Sequence, residues 1–220
     1  MCARFAFFKR ERFQLVFGLD PDGIEPQYNI APTDVVAAVT DRGQGRQLEF
    51  FQWGLVPSWA KDPSIGQKLI NARAETLAEK PSFKAAFKRR RCLLPADGFY
   101  EWKGEKGHKQ PYFIHLRSKQ TFALAGLWEE WETIDGALAT CTIVTTDANE
   151  MVSDLHTRMP VLIPPDDFDA WLDPKADGPV ALLAPYPSDE MEMHPVAKAV
   201  SNPRFKSPEA VEPVGPDALF

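Results

Sequence analysis

Short strand-like runs separated by turn residues fill the middle of this sequence, and they restrict the folds that it can adopt. Four of them follow one another between residues 91 and 146 and read RCLLPADGFYEW, PYFIHL, TFALAGLW and ALATCTIVTT. Two earlier runs, DVVAAVT and RQLEFFQW, are joined by DRGQG, which is typical of a hairpin. Strands and helices do not alternate regularly, so the pattern predicts an α+β fold whose mainly antiparallel sheets form a barrel-like core flanked by short helices.

Short helices are predicted at four places around this core, one of them in PPDDFDAWL, whose prolines and acids favour a helix N-terminus. The segment KRERFQLVFGL has its apolar residues at the spacing of a short amphipathic helix. The segment INARAETLAEKPSFKAAFKRRR is expected to be helical on both sides of Pro81. The segment DANEMVSDLH predicts a helix capped by Asp147.

Length and composition favour one large domain. The chain has 220 residues, of which 44% are hydrophobic, and that is enough for a sizeable core. We expect the domain to span residues 1–202, because residues 203–220 are proline-rich and weakly apolar and predict an extended C-terminal tail. No apolar segment approaches the ~20 residues of a membrane helix, so we expect a cytoplasmic monomer without a membrane partner.

The number and spacing of the cysteines argue against a disulfide framework. Cys2, Cys92 and Cys141 contain no Cys-x-x-Cys pair, and an odd number argues against full pairing. Cys92 and Cys141 lie in apolar, strand-like surroundings and are expected to be small buried side chains.

Cys2 differs because it would become the terminus if Met1 were removed. It would then carry an α-amine and a thiol on adjacent carbons, and this pair can trap an aldehyde as an imine that closes to a thiazolidine ring. An α-amine titrates near ~7.7–8.0 and a thiol near ~8.5, so a fraction of each is deprotonated at neutral pH without large tuning. From its position alone, Cys2 has a simpler interpretation as a residue of a short N-terminal strand.

Charge is distributed unevenly along the chain. The net charge is −6, but residues 1–125 carry 20 Lys and Arg against 13 Asp and Glu, whereas residues 126–220 carry 5 against 18. This asymmetry is compatible with a phosphate-binding face on an otherwise acidic protein, or with an ordinary uneven surface. The KRRR run at residues 88–91 either extends such a patch or forms a solvated helix face.

Six motifs in order give the sequence a family resemblance. They read MCARF, YNIAPT, WGLVPSW, NARAET, RCLLPADGFYEW and LHTRMPVLI, and they extend from residue 1 to residue 163. Together they resemble the SOS-response-associated peptidase (SRAP) family. One residue departs from the usual pattern, since Ala3 stands where the family has glycine, and its methyl group could crowd a ligand.

The resemblance implies a DNA-repair function. Members of this family recognise abasic sites in single-stranded DNA and crosslink to them as a thiazolidine through the N-terminal cysteine, which they expose by removing their own initiator methionine. We therefore expect an enzyme with lyase-type crosslinking activity and self-processing peptidase activity. The ring-opened abasic sugar is an aldehyde, which is the electrophile that the Cys2 aminothiol would trap.

The resemblance also implies a set of catalytic residues, namely Cys2, Glu101, His156 and Asn71. Glu101 would help to open the sugar and promote imine formation, and its position between two aromatic residues would raise its pKa by desolvation. His156 could shuttle protons or hydrogen-bond the opened sugar, and we assign it both roles. The Asn71 amide could orient the deoxyribose or the Cys2 amine. Ordinary structural hydrogen bonding is the alternative for His156 and Asn71.

Two kinds of side chain are expected to bind the DNA. Guanidinium groups suit phosphate oxygens, and Arg4, Arg73 and Arg158 lie inside the motifs, so we expect them to clamp the backbone. Apolar side chains in loop motifs could stack on flanking bases, and these are Trp53, Trp59, Pro32 and Met159. Each stacked aromatic would contribute ~1–3 kcal/mol per base. Packing in the core is the alternative for the tryptophans.

Other functions remain open from the sequence. An amidohydrolase with an N-terminal cysteine nucleophile, such as a glutaminase domain, would also require removal of Met1. A module that only binds single-stranded DNA non-covalently would not need the thiol. No metal-binding spacing and no sequence-reading DNA motif is recognisable, so we expect no metal, no cofactor and recognition by lesion and phosphate.

Overall fold

Two β-sheets form the core of this protein, whose computed structural model describes residues 2–105, 108–134 and 136–215. The strands are β1 (Phe5–Phe7), β2 (Gln27–Ile30), β3 (Val35–Asp41), β4 (Arg46–Trp53), β5 (Asn71–Arg73), β6 (Arg91–Ala96), β7 (Gly98–Lys103), β8 (Gln110–Leu116), β9 (Phe122–Thr133), β10 (Gly136–Asp147), β11 (Arg158–Pro160), β12 (Leu162–Ile163) and β13 (Met191–Pro195). The α-helices are α1 (Phe13–Phe17), α2 (Lys84–Arg89), α3 (Glu150–Ser153) and α4 (Phe168–Leu172). Single 3-10 turns span Arg10–Arg12, Pro63–Lys68, Ala74–Thr76, Pro165–Asp167, Val180–Leu182, Ser188–Glu190, Lys198–Ser201 and Pro208–Val211. The predicted α+β class with short helices is confirmed.

Five strands of the larger sheet close into a barrel. β10 pairs with β4 in parallel, and the ring continues through antiparallel pairs of β4 with β3, β3 with β6, β6 with β9, and β9 with β10. β5 and β11 pair with β10, and β12 pairs with β9. Cys92 and Cys141 are fully buried in this barrel, as predicted, and both thiols are free. The predicted hairpin of β3 and β4 is confirmed as well.

The smaller sheet holds the N-terminal strand. Its order is β13, β8, β7, β1 and β2, so β1 lies between the strands of two sequence motifs. Phe5 pairs with Phe99 of β7 and with Ile30 of β2. All three residues of β1 are buried, and their apolar side chains fix the first residues of the chain against the core.

Two of the predicted helices begin later than expected. The segment from Asn71 starts as strand β5, because β10 offers a parallel partner that places Ile143 opposite Asn71. Asp147 does not cap a helix, since it is the last residue of β10. The cap of α3 is Asn149, whose side chain accepts a hydrogen bond from the Val152 N–H at 2.9 Å.

The predicted extended tail is packed against the rest of the chain as far as Val214, whose N–H donates to the Pro195 carbonyl at 3.0 Å. Ala210 is fully buried, and Val196 forms a β-bridge with Pro213. The reason is that apolar residues of this segment cover the outer face of the smaller sheet, which would otherwise be exposed. Residues 216–220 of the predicted tail and Met1 lie outside the described residues.

Arg91 of the KRRR run belongs to the core and not to a charged face. It is 2% exposed and donates hydrogen bonds to the carbonyl groups of Phe87 at 2.6 Å and Trp171 at 2.5 Å, and also to that of Asp173. These carbonyls lie at or beyond the ends of α2 and α4, where backbone acceptors lack helical partners. In the described part of the chain, no helix has the length and apolarity to cross a membrane.

We expect Gly98→Ala to destabilise the contact between β7 and its neighbours. A Cβ atom at this position would lie 2.2 Å from Phe113 Cζ and 2.7 Å from the Ile114 carbonyl oxygen, and the carbonyl is part of the β8 backbone. Overpacking of this kind should cost about 1–3 kcal/mol in the free energy of unfolding, measured with urea. Gly215→Ala is the control, because no described atom lies within 4 Å of its Cβ. Equal stability of the two variants would contradict the packing described here.

Candidate functional site

Cys2 lies against the start of β1 and is fully buried in the chain that retains Met1. Its thiol donates a long hydrogen bond to the Arg4 carbonyl oxygen at 3.7 Å. Burial raises the pKa of the Cys2 thiol, and the negative charge of Glu101 raises it further. The thiol is therefore neutral at pH 7 in the chain that retains Met1, whereas the expectation of a partly deprotonated thiol concerns the terminus that removal of Met1 would leave.

Glu101 lies on β7 beside the N-terminal residues. The pairing of Phe5 with Phe99, together with a 3.0 Å hydrogen bond from the Tyr100 N–H to the Arg4 carbonyl, brings this part of β7 alongside the first residues. Glu101 is 4% exposed, and burial raises its pKa from 4.5 to about 7. The predicted effect of desolvation is confirmed, and such a carboxyl group can give or take a proton at neutral pH.

Asn71 connects β5 to the N-terminal residues. Its Nδ2 atom donates a hydrogen bond to the Cys2 carbonyl oxygen at 2.8 Å. Its Oδ1 atom is buried and accepts no hydrogen bond from any described residue. The amide therefore fixes the backbone of Cys2 and keeps an acceptor for a further polar hydrogen.

His156 follows α3 and is half-buried. Its backbone N–H donates to the Val152 carbonyl at 3.0 Å, and its ring Nδ1 accepts a hydrogen bond from the backbone N–H of Arg158 at 3.0 Å. Burial lowers the pKa of the imidazole, so the ring is neutral at pH 7. With Nδ1 accepting, the proton of the neutral ring is assigned to Nε2.

Lys109 is a neighbour of the site that the sequence motifs did not reveal. It is exposed and immediately precedes β8. Behind burial and the charge of the N-terminal α-amine, the Lys109 charge is a smaller cause that lowers the pKa of both Glu101 and His156. A cation thus lies near two candidate catalytic groups that come from different parts of the chain. In the described ranges, no group of three or more His, Cys, Asp or Glu could hold a metal ion.

Of the three predicted phosphate ligands, Arg73 is the one with an exposed and available guanidinium. No described residue accepts a hydrogen bond from it, and it lies two residues after Asn71 on the same face of β5. Arg158, in contrast, is ion-paired with Glu75 and with Asp147 at 2.7 Å.

Arg4 is also engaged within the protein. It donates hydrogen bonds to Asn29 Oδ1 at 3.0 Å, to the Val200 carbonyl at 2.9 Å and to the Ser201 carbonyl at 3.3 Å. A phosphate could reach this guanidinium only by competing with these acceptors.

The residues predicted to stack on bases fall into two groups. Trp59 is 58% exposed in a loop held by the Trp131 indole, which donates to the Ala60 carbonyl at 2.7 Å, and Pro32 is half-buried. Trp53 and Met159 are fully buried.

The prediction that Trp53 and Met159 stack on bases is therefore wrong. Trp53 ends β4, packs edge-on against Phe5 at 5.3 Å between ring centroids, and donates from Nε1 to the Ile70 carbonyl at 2.8 Å. The sulfur of Met159 accepts a hydrogen bond from the Asn149 N–H at 3.3 Å. Both side chains support the walls of the site from within.

The chain is similar to known proteins over nearly its whole length. Residues 1–203 match the family described as SOS response associated peptidase (SRAP). Abasic site processing protein YoqW of Bacillus subtilis (strain 168) is 44% identical over 222 residues, covering 96% of this chain and 99% of the relative. Abasic site processing protein YedK of Escherichia coli (strain K12) is 32% identical over 230 residues, covering 97% of this chain and 100% of the relative. A crystal structure of a protein from Bacteroides thetaiotaomicron has the same fold, with a TM-score of 0.87, 24% identity and coverage of 97% and 100%.

We expect Glu101 to make stability fall as the pH rises. Between its unfolded value of 4.5 and its folded value of about 7, the folded chain holds a proton that the unfolded chain has lost, so stability present at low pH is lost through pH 7. Glu101→Gln should remove this dependence and gain up to about 3 kcal/mol relative to the parent between pH 5 and pH 8. Urea unfolding at both pH values measures the difference. The exposed Glu79→Gln variant should follow the parent, and parallel pH profiles for Glu101→Gln and the parent would refute the assignment.

Proposed function

Because the chain belongs to the SOS response associated peptidase (SRAP) family, we propose that it recognises abasic sites in single-stranded DNA and binds them covalently through Cys2. The observation that carries this proposal is that Glu101 and Asn71 both lie beside Cys2. An aminothiol at that position would meet both a group that transfers protons and a group that orients it. The opened abasic sugar supplies the aldehyde that such a terminus traps.

Removal of Met1 is the first step of the proposed activity. Hydrolysis of the peptide bond between Met1 and Cys2 consumes one water molecule and leaves the α-amine on Cys2. The buried position of Cys2 in the longer chain makes this step the switch from an inert to a reactive form. The Asn71 Oδ1 atom can accept a hydrogen bond from the new amine, and Glu101 can serve as its base.

Formation of the adduct then proceeds in two covalent steps. The Cys2 amine attacks the aldehyde carbon of the opened sugar, and water leaves to give an imine. The sulfur adds to the imine carbon while the nitrogen takes up a proton, so the thiol proton ends on nitrogen and one water is lost overall. A carboxyl group with a pKa of about 7 can protonate the departing hydroxyl and recover the proton that the nitrogen loses. It can then relay the thiol proton, which burial makes harder to remove, to the nitrogen during ring closure.

Binding of the strand is assigned to residues around this centre. Arg73, on the same strand as Asn71, and Lys109, near Glu101 and His156, are exposed cations, and Trp59 offers an exposed indole. Pro32 and Arg158 are further ligands in this proposal, and Arg158 would exchange its carboxylate partners for phosphate.

We expect the parent protein to gain the mass of one abasic-site oligonucleotide, less one water, after loss of Met1. Intact mass spectrometry under denaturing conditions measures both events together. Cys2→Ala should give no adduct that survives denaturation, because the sulfur that closes the ring is lost. Cys2→Ser should form an imine that is lost on denaturation but is retained after borohydride reduction.

The same experiment separates the rival functions. An adduct of Cys2→Ala that survives denaturation without reduction would contradict the proposed role of the Cys2 sulfur. Binding of single-stranded DNA without any adduct in the parent would favour a simple binding module. Release of ammonia from glutamine by the parent, but not by Cys2→Ala, would favour an amidohydrolase.

We expect Trp59→Ala and Arg73→Met to weaken non-covalent binding in different ways. In a Cys2→Ala background, loss of the indole should cost about 1–3 kcal/mol at every salt concentration. Loss of the guanidinium should reduce the slope of log affinity against log salt by about 0.7. Fluorescence anisotropy with single-stranded DNA measures both effects. Arg117→Gln is the control, since its guanidinium bonds to the carbonyls of residues 189 and 191; a slope unchanged by Arg73→Met would remove Arg73 from the proposal.

A further inference from the structure

Residues 198–206 form a segment that we call the C-terminal hook, and Asn29 ties it to the N-terminal half of the chain. Asn29 is fully buried. Its Nδ2 atom shares two hydrogens among the carbonyl groups of Val200 at 3.0 Å, Asn202 at 3.1 Å and Phe205 at 2.9 Å. One side chain therefore satisfies three backbone acceptors of a segment without strand partners of its own.

Arg4 holds the same segment from the N-terminal side. Its guanidinium bonds to Asn29 Oδ1 and to the carbonyls of Val200 and Ser201, at distances between 2.9 and 3.3 Å. The Asn29 amide is thereby used on both its donor and its acceptor side. Three neutral oxygens converge on one cation, an arrangement that uses the forked geometry of arginine.

The backbone of Arg4 contacts Cys2 and Tyr100, the residue that precedes Glu101. Its carbonyl oxygen accepts hydrogen bonds from the Cys2 thiol at 3.7 Å and from the Tyr100 N–H at 3.0 Å. The side chain of this residue is thus fixed by the hook, and its main chain orients the nucleophile against β7.

A second contact joins the hook to the other side of Glu101. The Trp102 indole donates from Nε1 to Ser201 Oγ at 3.0 Å. Glu101 lies between Tyr100 and Trp102 in sequence, so the strand that carries it is held by the Arg4 main chain before it and by the hook after it.

We propose that the C-terminal hook sets the position of Cys2 relative to Glu101, and that Arg4 and Asn29 are positioning residues and not ligands of DNA. This inference rests on the proposed function for its chemical consequence. The hook restrains the N-terminal strand whether or not DNA is bound.

The first test compares two replacements of Arg4 by the rate of adduct formation at saturating abasic-site DNA. Arg4→Met should reduce the rate constant by about tenfold or more, since small displacements of reacting groups have effects of this size. Arg4→Lys should be nearly as slow, because an ammonium group cannot bridge the three oxygens. Recovery of the rate with Arg4→Lys would overturn the proposal, since charge alone would then suffice.

The second test measures the salt dependence of non-covalent binding in a Cys2→Ala background. Arg4→Met should leave the slope of log affinity against log salt unchanged, whereas Arg73→Met should reduce it by about 0.7. A reduced slope for Arg4→Met would show a phosphate contact and overturn the proposal.

The third test needs no DNA and separates failure of the hook from failure of the proposed function. Amide hydrogen exchange of residues 5–7 should become at least about tenfold faster in Arg4→Met than in the parent. Arg46→Gln is the control, because Arg46 bonds to Asp169 and does not contact the N-terminal strand or the hook. Ser201→Ala, at an exposed position, provides a second variant if Arg4→Met does not fold, and exchange should quicken in residues 100–103. Unchanged exchange in the folded variants would overturn the proposal, while absence of any adduct in the parent would refute only the proposed function.

Discussion

The pairing of the three-residue strand β1 with β7 is the contact on which the rest of the site depends. Phe5 lies opposite Phe99 and Ala6 opposite Gly98, and this register brings Glu101 to the N-terminal residues. A short strand contributes few hydrogen bonds, so its position must be fixed by side chains. The buried ring of Phe5 against Trp53, and the absence of a side chain at Gly98, do this on the side of the core.

Burial has opposite consequences for the two groups that β1 and β7 bring together. It raises the pKa of Glu101 to about 7, which makes the carboxyl group a useful acid and base at neutral pH. It also raises the pKa of the Cys2 thiol, and so keeps the sulfur protonated in the chain that retains Met1. The two effects fit one chemistry if the thiol proton is transferred to the carboxylate during ring closure, because neither group then has to hold a charge alone in the interior.

The sequence predicted what local patterns determine and failed where distant segments decide. Strand runs of alternating or continuous apolar residues gave the α+β barrel, but the parallel pairing of β5 with β10 joins residues about 70 positions apart and left no local signal. Trp53 and Trp59 belong to one motif and looked alike, yet Trp53 ends a barrel strand and is buried, whereas Trp59 lies in the loop that follows. Lys109 precedes an ordinary strand, and only the fold brings it near Glu101.

The arginines show why a basic half of the sequence does not translate directly into a DNA-binding surface. Arg91 and Arg4 are bonded to backbone carbonyls of the protein itself, and Arg158 is ion-paired with carboxylates that a phosphate would have to displace. Among the described residues near the site, Arg73 and Lys109 then remain for phosphate without such competition, and we expect non-covalent affinity with a weak salt dependence. Under the proposed function, retention of the lesion therefore rests on the covalent bond to Cys2 and not on the strength of the electrostatic contacts with phosphate.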